Sequence, residues 1–361
     1  MGFLSHIRVT MRMTNALNVW ILSSLLGFSW GCHKAPQTWH HWDVPCSIRT
    51  LDVISEDHLL FAGSEGWVGE TQDQGASWHL EQWESPDGLH PSFRASGWNG
   101  TEWFAVSIAS PAWVARKQDK ALLPQWVHHD TSKAVFLDAM AWWDSKEGLI
   151  FGDPADGCLT LLKTSNAGES WSRIPCDRLP APASGEAGFA ASNSNICIAG
   201  DTAWVFTGGL VSRCFFSPDR GKTWRAIDLP IRQGEAMTGV FSASFCNSTR
   251  GCAAGGNWDE PDNNFGNLIE TRDGGQTWRL LSEGNGPGYR SSIIHHPNQP
   301  ETLVAAGFQG VDFTLDGGRT WSSLTDSSYY VARFSPSGRT LWLAGKGQIS
   351  SASWPPNANL D

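Results

Sequence analysis

One octad, Ser/Thr-x-Asp/Asn-x-Gly-x-Ser/Thr-Trp, occupies positions 71–78, 164–171, 217–224, 271–278 and 314–321. Five near-identical copies in one chain mark a repeated supersecondary unit. Its chemistry is that of a tight hairpin. The acidic or amide side chain accepts turn N–H groups, Gly supplies a positive φ, the hydroxyls bond local backbone, and Trp turns back toward a core. The central residues Asp73, Asn166, Asp219, Asp273 and Asp316 are separated by 93, 53, 54 and 43 positions. The first interval is double, so a decayed copy is expected near 119, where Lys117, Gln118 and Asp119 are followed by Trp126.

The rest of the mature chain fits a turn-rich β protein. The full 361-residue sequence has 38 Gly, 19 Pro and 21 Trp, and no stretch of the mature region keeps a helical period for long. With 17% charged and 40% hydrophobic residues, disorder and coiled coil are excluded. Two arginines, Arg8 and Arg12, precede the apolar run 16–30, which ends at Gly31 before Cys32. This reads as an export signal over 1–31, with Met11 and Met13 as alternative starts. Gly before the first Cys resembles a bacterial lipoprotein cleavage site, in which Cys32 is acylated; plain secretion and an uncleaved anchor are the alternatives. The expected location is therefore the periplasm or the membrane face of a bacterial envelope, with membrane contact only through that lipid. Losing Arg8 and Arg12 takes the net charge from −10 to −12, which argues against a nucleic-acid partner.

Seven cysteines follow Cys32, and export permits disulfides. Cys158 and Cys176 flank a repeat symmetrically, and Cys246 and Cys252 flank a short connection, so each pair is a disulfide candidate against the alternative of buried thiols. No C-x-x-C occurs, and in the pairs His40-His41, His128-His129 and His295-His296 adjacent strand residues point to opposite faces, so no metal or cofactor is expected.

The octads resemble the Asp-box, or BNR repeat, of bacterial sialidases and related β-propellers, in which the box joins the third and fourth strands of a blade away from the ligand face. That resemblance implies structural boxes and an all-β fold. Five boxes and the relic at 119 make six blades; segments 330–334, 340–344 and 348–353 supply three more strands, and 38–42 supplies the fourth. The expectation is a seven-bladed β-propeller over 38–354, preceded by a tether at 32–37, followed by a tail at 355–361, and closed by N- and C-terminal strands in one blade.

Ligands of propellers usually sit at one mouth of the central channel. Aligning the blades puts Arg49, Arg94, Asp138, Glu186, Thr238, Arg290 and Arg333 at the starts of the innermost strands. Converging guanidinium groups suit bidentate capture of carboxylates, while the alternative is a self-neutralising structural ring. Acid-rich loops at 152–157 and 255–264 read as solvated turns rather than Ca²⁺ sites, since they lack EF-hand spacing. Those at 81–88 and 282–288 read as linkers.

Over nearly the whole mature chain the pattern looks like the photosystem II stability and assembly factor group of BNR-like propellers. This implies a monomeric, non-catalytic binder of a protein segment or another carboxylate-bearing ligand. A sialidase-like glycoside hydrolase is the alternative: Phe93-Arg94 matches the start of the sialidase arginine segment, and Arg94, Arg290 and Arg333 would form a carboxylate-binding triad. In that reading Asp138 and Glu186 need carboxyls about 5.5 Å apart. A third reading, oxidoreductase, finds no G-x-G-x-x-G and no haem-attachment motif.

Overall fold

A computed structural model describes residues 38–118 and 123–355. The export segment, Cys32, the 32–37 tether, Asp119 and positions 356–361 lie outside the described residues. The regular structure of the described chain is antiparallel sheet, apart from two short 3-10 turns at Ser64–Gly66 and Cys176–Arg178.

Most of it is organised as units of four consecutive antiparallel strands. The first strands of successive units are Trp39–Val53, Phe93–Trp98, Leu137–Trp142, Ile196–Ala199, Thr238–Phe245, Ser292–His296 and Val331–Phe334. Each touches the next, and Val331–Phe334 touches Trp39–Val53. That long strand serves two units. Its later half pairs with Leu59–Gly63, whereas Trp39–Asp43 pairs with Lys346–Ser353, Trp39 opposite Ala352.

Side-chain patterning explains the layering. In Trp39–Val53, Trp42, Val44, Cys46 and Ile48 alternate inward while Asp43 and Pro45 face out. Second strands such as Leu59–Gly63 and Trp103–Ser107 are buried along their whole length, because neighbouring units cover both faces, and they are accordingly continuous apolar runs. The first strands are tied together by polar side chains. Thr50 Oγ1 lies 2.5 Å from Ser96 Oγ, Asn193 donates from Nδ2 to Ser96 O at 2.7 Å while its Oδ1 accepts Met140 N at 2.8 Å, and Ser194 Oγ donates to Ser242 Oγ at 2.7 Å.

All five octads connect third and fourth strands, as expected from the resemblance. In the copy at 271–278, Asp273 Oδ1 accepts Gln276 N at 3.0 Å and Thr277 N at 2.9 Å, and Oδ2 accepts Thr277 Oγ1 at 2.6 Å. Gly275 has φ +82°, and a Cβ there would lie 2.5 Å from Trp204 Nε1 of the preceding unit. Trp204 Nε1 in turn donates to Gly274 O at 2.8 Å. The octad is thus a staple between neighbouring units as well as a turn.

Asp273→Ala is expected to cost about 1.5–3 kcal/mol in denaturant unfolding, the range for hydrogen bonds to an ionised group. Partial burial pushes Asp316 upward, but hydrogen bonds from Thr320 and Thr314 outweigh it and hold the carboxyl at about 2 instead of the ordinary 3.8. Asp73, held by Ser77, and Asp219 and Asp273, where hydrogen bonds overcome a larger desolvation effect, are lowered too. A depressed carboxylate stabilises the fold above its unfolded value. The contribution of Asp316 is therefore complete above about pH 4 and is lost as the pH falls through about 2, and those of Asp73, Asp219 and Asp273 fade in the same direction.

Cys158 and Cys176 form a disulfide with Cα atoms 5.5 Å apart. Cys246 and Cys252 are free. Cross-strand register separates them: Cys252 lies opposite Ser244, and Cys246 N bonds Arg250 O, so the two cysteines are offset along the hairpin.

Candidate functional site

The starts of the first strands gather at one end of the molecule, opposite the octads, because strand one starts where strand three starts and octads follow strand three. Here the candidate residues divide into distinct environments. The guanidinium of Arg49 lies 3.8 Å over the Tyr330 ring, and its Nε has no hydrogen-bond partner. Arg94 donates from Nη1 to Ala190 O at 3.2 Å. Burial, then the neighbouring Arg49 charge, lowers Arg94 to about 10; burial also lowers Arg49, against the attraction of Tyr330 and Tyr289. Two half-buried, charged and under-bonded guanidinium groups therefore sit side by side. Such groups gain most from an incoming anion.

Asp138 lies within electrostatic reach of Arg94, 0% exposed, with neither carboxyl oxygen hydrogen-bonded. Burial raises its pKa well above the ordinary value, with Asp153 adding to the shift and Arg94 opposing it. Asp153 is itself raised by burial, and its Oδ1 accepts Gly188 N at 2.6 Å. Residues 152–155 continue the strand Gly148–Ala155, so the expected solvated turn is confined to Asp156 and Gly157. Gly188 is obligatory here, since a Cβ would fall 2.2 Å from Asp138 Oδ2.

The remaining candidates are already engaged. Arg290 is 7% exposed; Nε and Nη2 donate to Asp312 Oδ2 at 2.9 and 2.5 Å, and Nη1 donates to Tyr289 O at 2.7 Å. Arg333 donates to Ala332 O at 2.8 Å and, from Nη2, to Ser192 O at 3.0 Å, which joins the last unit to the fourth. Thr238 Oγ1 donates to Glu235 O at 2.8 Å and Gly209 O at 3.1 Å.

Glu186 needs a correction. Segment 185–189 is not an innermost strand: Glu186–Ala187 pairs with Gly208–Gly209, and the fourth unit begins with Ile196–Ala199. The small residues of 185–189 read like a strand of the inner row, whereas the polar run Ser192, Asn193, Ser194, Asn195 that precedes the true one reads like a loop. Glu186 Oε2 accepts Ala183 N at 2.8 Å and pairs with Arg213, and Oε1 accepts Thr207 Oγ1 at 2.5 Å.

Sequence reasoning missed an aromatic wall beside the arginines. Phe189 stacks on Phe241 at 3.8 Å, Phe241 meets Tyr289 edge-on at 4.8 Å, Tyr289 meets Phe308 at 5.5 Å, and Phe308 meets Trp258 at 6.1 Å. Trp258 is 46% exposed, so the row runs from the core to solvent. The rings come from several units and share no motif; only a surplus of aromatics close to strand ends could have hinted at them.

No protein-family model and no curated protein matches the chain. Solved structures do. YCF48 bound to D1 peptide superposes with a TM-score of 0.62 at 16% identity, covering 87% of this chain and 96% of that one. YCF48 from Cyanidioschyzon merolae gives 0.60 at 14%, covering 87% and 98%. The GH74 xyloglucanase from Xanthomonas campestris gives 0.60 at 14%, covering 90% of this chain but 55% of that one. At such identities the likeness establishes the fold, and the fold is that of the β-propellers to which the octads pointed.

Proposed function

We propose that this chain is a seven-bladed propeller, closed by Trp39–Asp43 against Lys346–Ser353, whose Arg49 and Arg94 mouth captures a carboxylate-bearing protein segment. The observation that carries the reading is the pairing of two under-bonded guanidinium groups with an adjoining row of aromatic rings. Arginines and aromatics are the side chains that dominate peptide recognition. The similar fold of YCF48 bound to D1 peptide supports a peptide as the ligand. In this reading the protein is exported and acts as a non-catalytic binder in the envelope, held by a lipid on Cys32 if that residue is acylated.

The hydrolase reading loses its acid pair. Glu186 has a side chain with 0% exposure, bound to Arg213, and Asp138 is equally enclosed, so neither reaches a glycosidic bond. The test is a peptide library displayed with free and with amidated C-termini, probed with the full chain. Selective capture of acid-bearing peptides is expected. Equal capture of charged and neutral sets would remove the arginine mouth as the recognition element.

A further inference from the structure

Along the seam between the third and fourth units, starting from the octad end, runs a cavity of about 360 Å³. Its wall carries Lys163, Arg173, Arg178 and Lys222 and not one carboxylate. In a chain of net charge −10, four cations lining one such cavity call for a cause. Lys163 donates to Arg220 O at 2.7 Å and lies 3.2 Å from Glu147, and Arg173 pairs with the exposed Asp156 at 3.2 Å. Arg178 and Lys222, both exposed, have no ion-pair partner among the described residues. Arg178 ends the turn Cys176–Arg178, which the Cys158–Cys176 bond fastens to the third unit beside the cavity.

Two octads line this cavity, 164–171 and, through Gly221 and Lys222, 217–224, and the first of them is the one with Asn in place of Asp. In the other four the Ser or Thr hydroxyl is spent on the carboxylate: Ser77, Thr223 and Thr277 donate to their Asp at 2.6 Å and Thr320 at 2.7 Å. At Asn166 the polarity reverses. Oδ1 accepts Ser170 N at 3.1 Å, which fixes the amide orientation, and Nδ2 donates to Ser170 Oγ at 2.9 Å. The Ser170 O–H is thereby released to donate elsewhere, at a site from which the usual negative charge has been removed.

We propose that this cavity binds a tetrahedral oxyanion, phosphate or sulfate, free or as the monoester of a small molecule. Arg178 and Lys222 supply charge-assisted donors and Ser170 the neutral one. At about 360 Å³ the cavity exceeds what a bare anion needs and falls at the lower end of small-ligand pockets.

Calorimetric titration of the full chain with inorganic phosphate, sulfate and glucose 6-phosphate, against chloride at matched ionic strength, tests it. Saturable binding of at least one is expected, and a tighter constant for the ester than for free phosphate would identify an organic monoester as the source. Arg178→Ala with Lys222→Ala should weaken binding about tenfold or more. Asn166→Asp is the sharper variant. It restores the ordinary octad, so the fold should be at least as stable, yet it adds a carboxylate and recaptures the Ser170 proton, and affinity should fall about tenfold. Absence of saturable binding to all three probes, or parental affinity in Asn166→Asp and in the double variant, would overturn the assignment.

Discussion

Replacing Arg290 with Ala is expected to destabilise the protein by about 3–5 kcal/mol in denaturant unfolding, the cost of stranding one partner of a buried ion pair. The carboxylate of Asp312 receives two of its guanidinium's bonds, and their side chains are 16% and 9% exposed. The third arm holds the backbone carbonyl of Tyr289, whose ring belongs to the aromatic wall. Arg290→Lys should recover only part of the loss, because an ammonium lacks the fork that serves Asp312 and Tyr289 O together. Removing both partners should cost less than removing Arg290 alone. A variant with parental stability but lost peptide affinity would mean that Arg290 serves a ligand and not the fold.

The joint replacement Arg49→Ala and Arg94→Ala should have the opposite signature. Each charge-assisted hydrogen bond to a ligand carboxylate is worth about 1.5–3 kcal/mol, so losing both should weaken binding of an acid-bearing peptide by about a hundredfold or more. Stability should change little. Arg49 lacks a hydrogen bond at Nε and rests on Tyr330, and Arg94 makes one bond at 3.2 Å to Ala190 O. Fluorescence anisotropy with a labelled peptide, beside thermal unfolding, reads both quantities. Undiminished affinity in a folded double variant would discard the mouth as the binding site.

These two outcomes separate what a sequence can and cannot tell about a propeller. The octads were legible because every part of the turn is local: donor, acceptor and glycine lie within eight positions, so spacing alone encodes the geometry. Arg49 and Arg94 were legible because they stand at a fixed place in repeating units. What failed was information held between strands. Nothing near Arg290 announces Asp312 as its partner on a later strand, and nothing in Gly185–Phe189 reveals that the inner row is instead built from 196–199. Cys246 and Cys252 looked like a facing pair because the hairpin register cannot be read from the number of intervening residues. The relic expected around Asp119 does fall on a connection between third and fourth strands, although Asp119 itself lies outside the described residues.

The pairing of Trp39–Asp43 with Lys346–Ser353 carries a consequence for the order of folding. It joins strands far apart in the chain, with 309 positions between His41 and its partner Ser350, and Trp42 reaches its stacking partner Trp342 at 5.5 Å only when those strands meet. The intervening sheets can form from nearer neighbours, but the edge that carries Trp42 stays unsatisfied until then. Joining such distant segments is entropically cheap per added residue yet slow, so a partly folded chain presents an open hydrophobic edge.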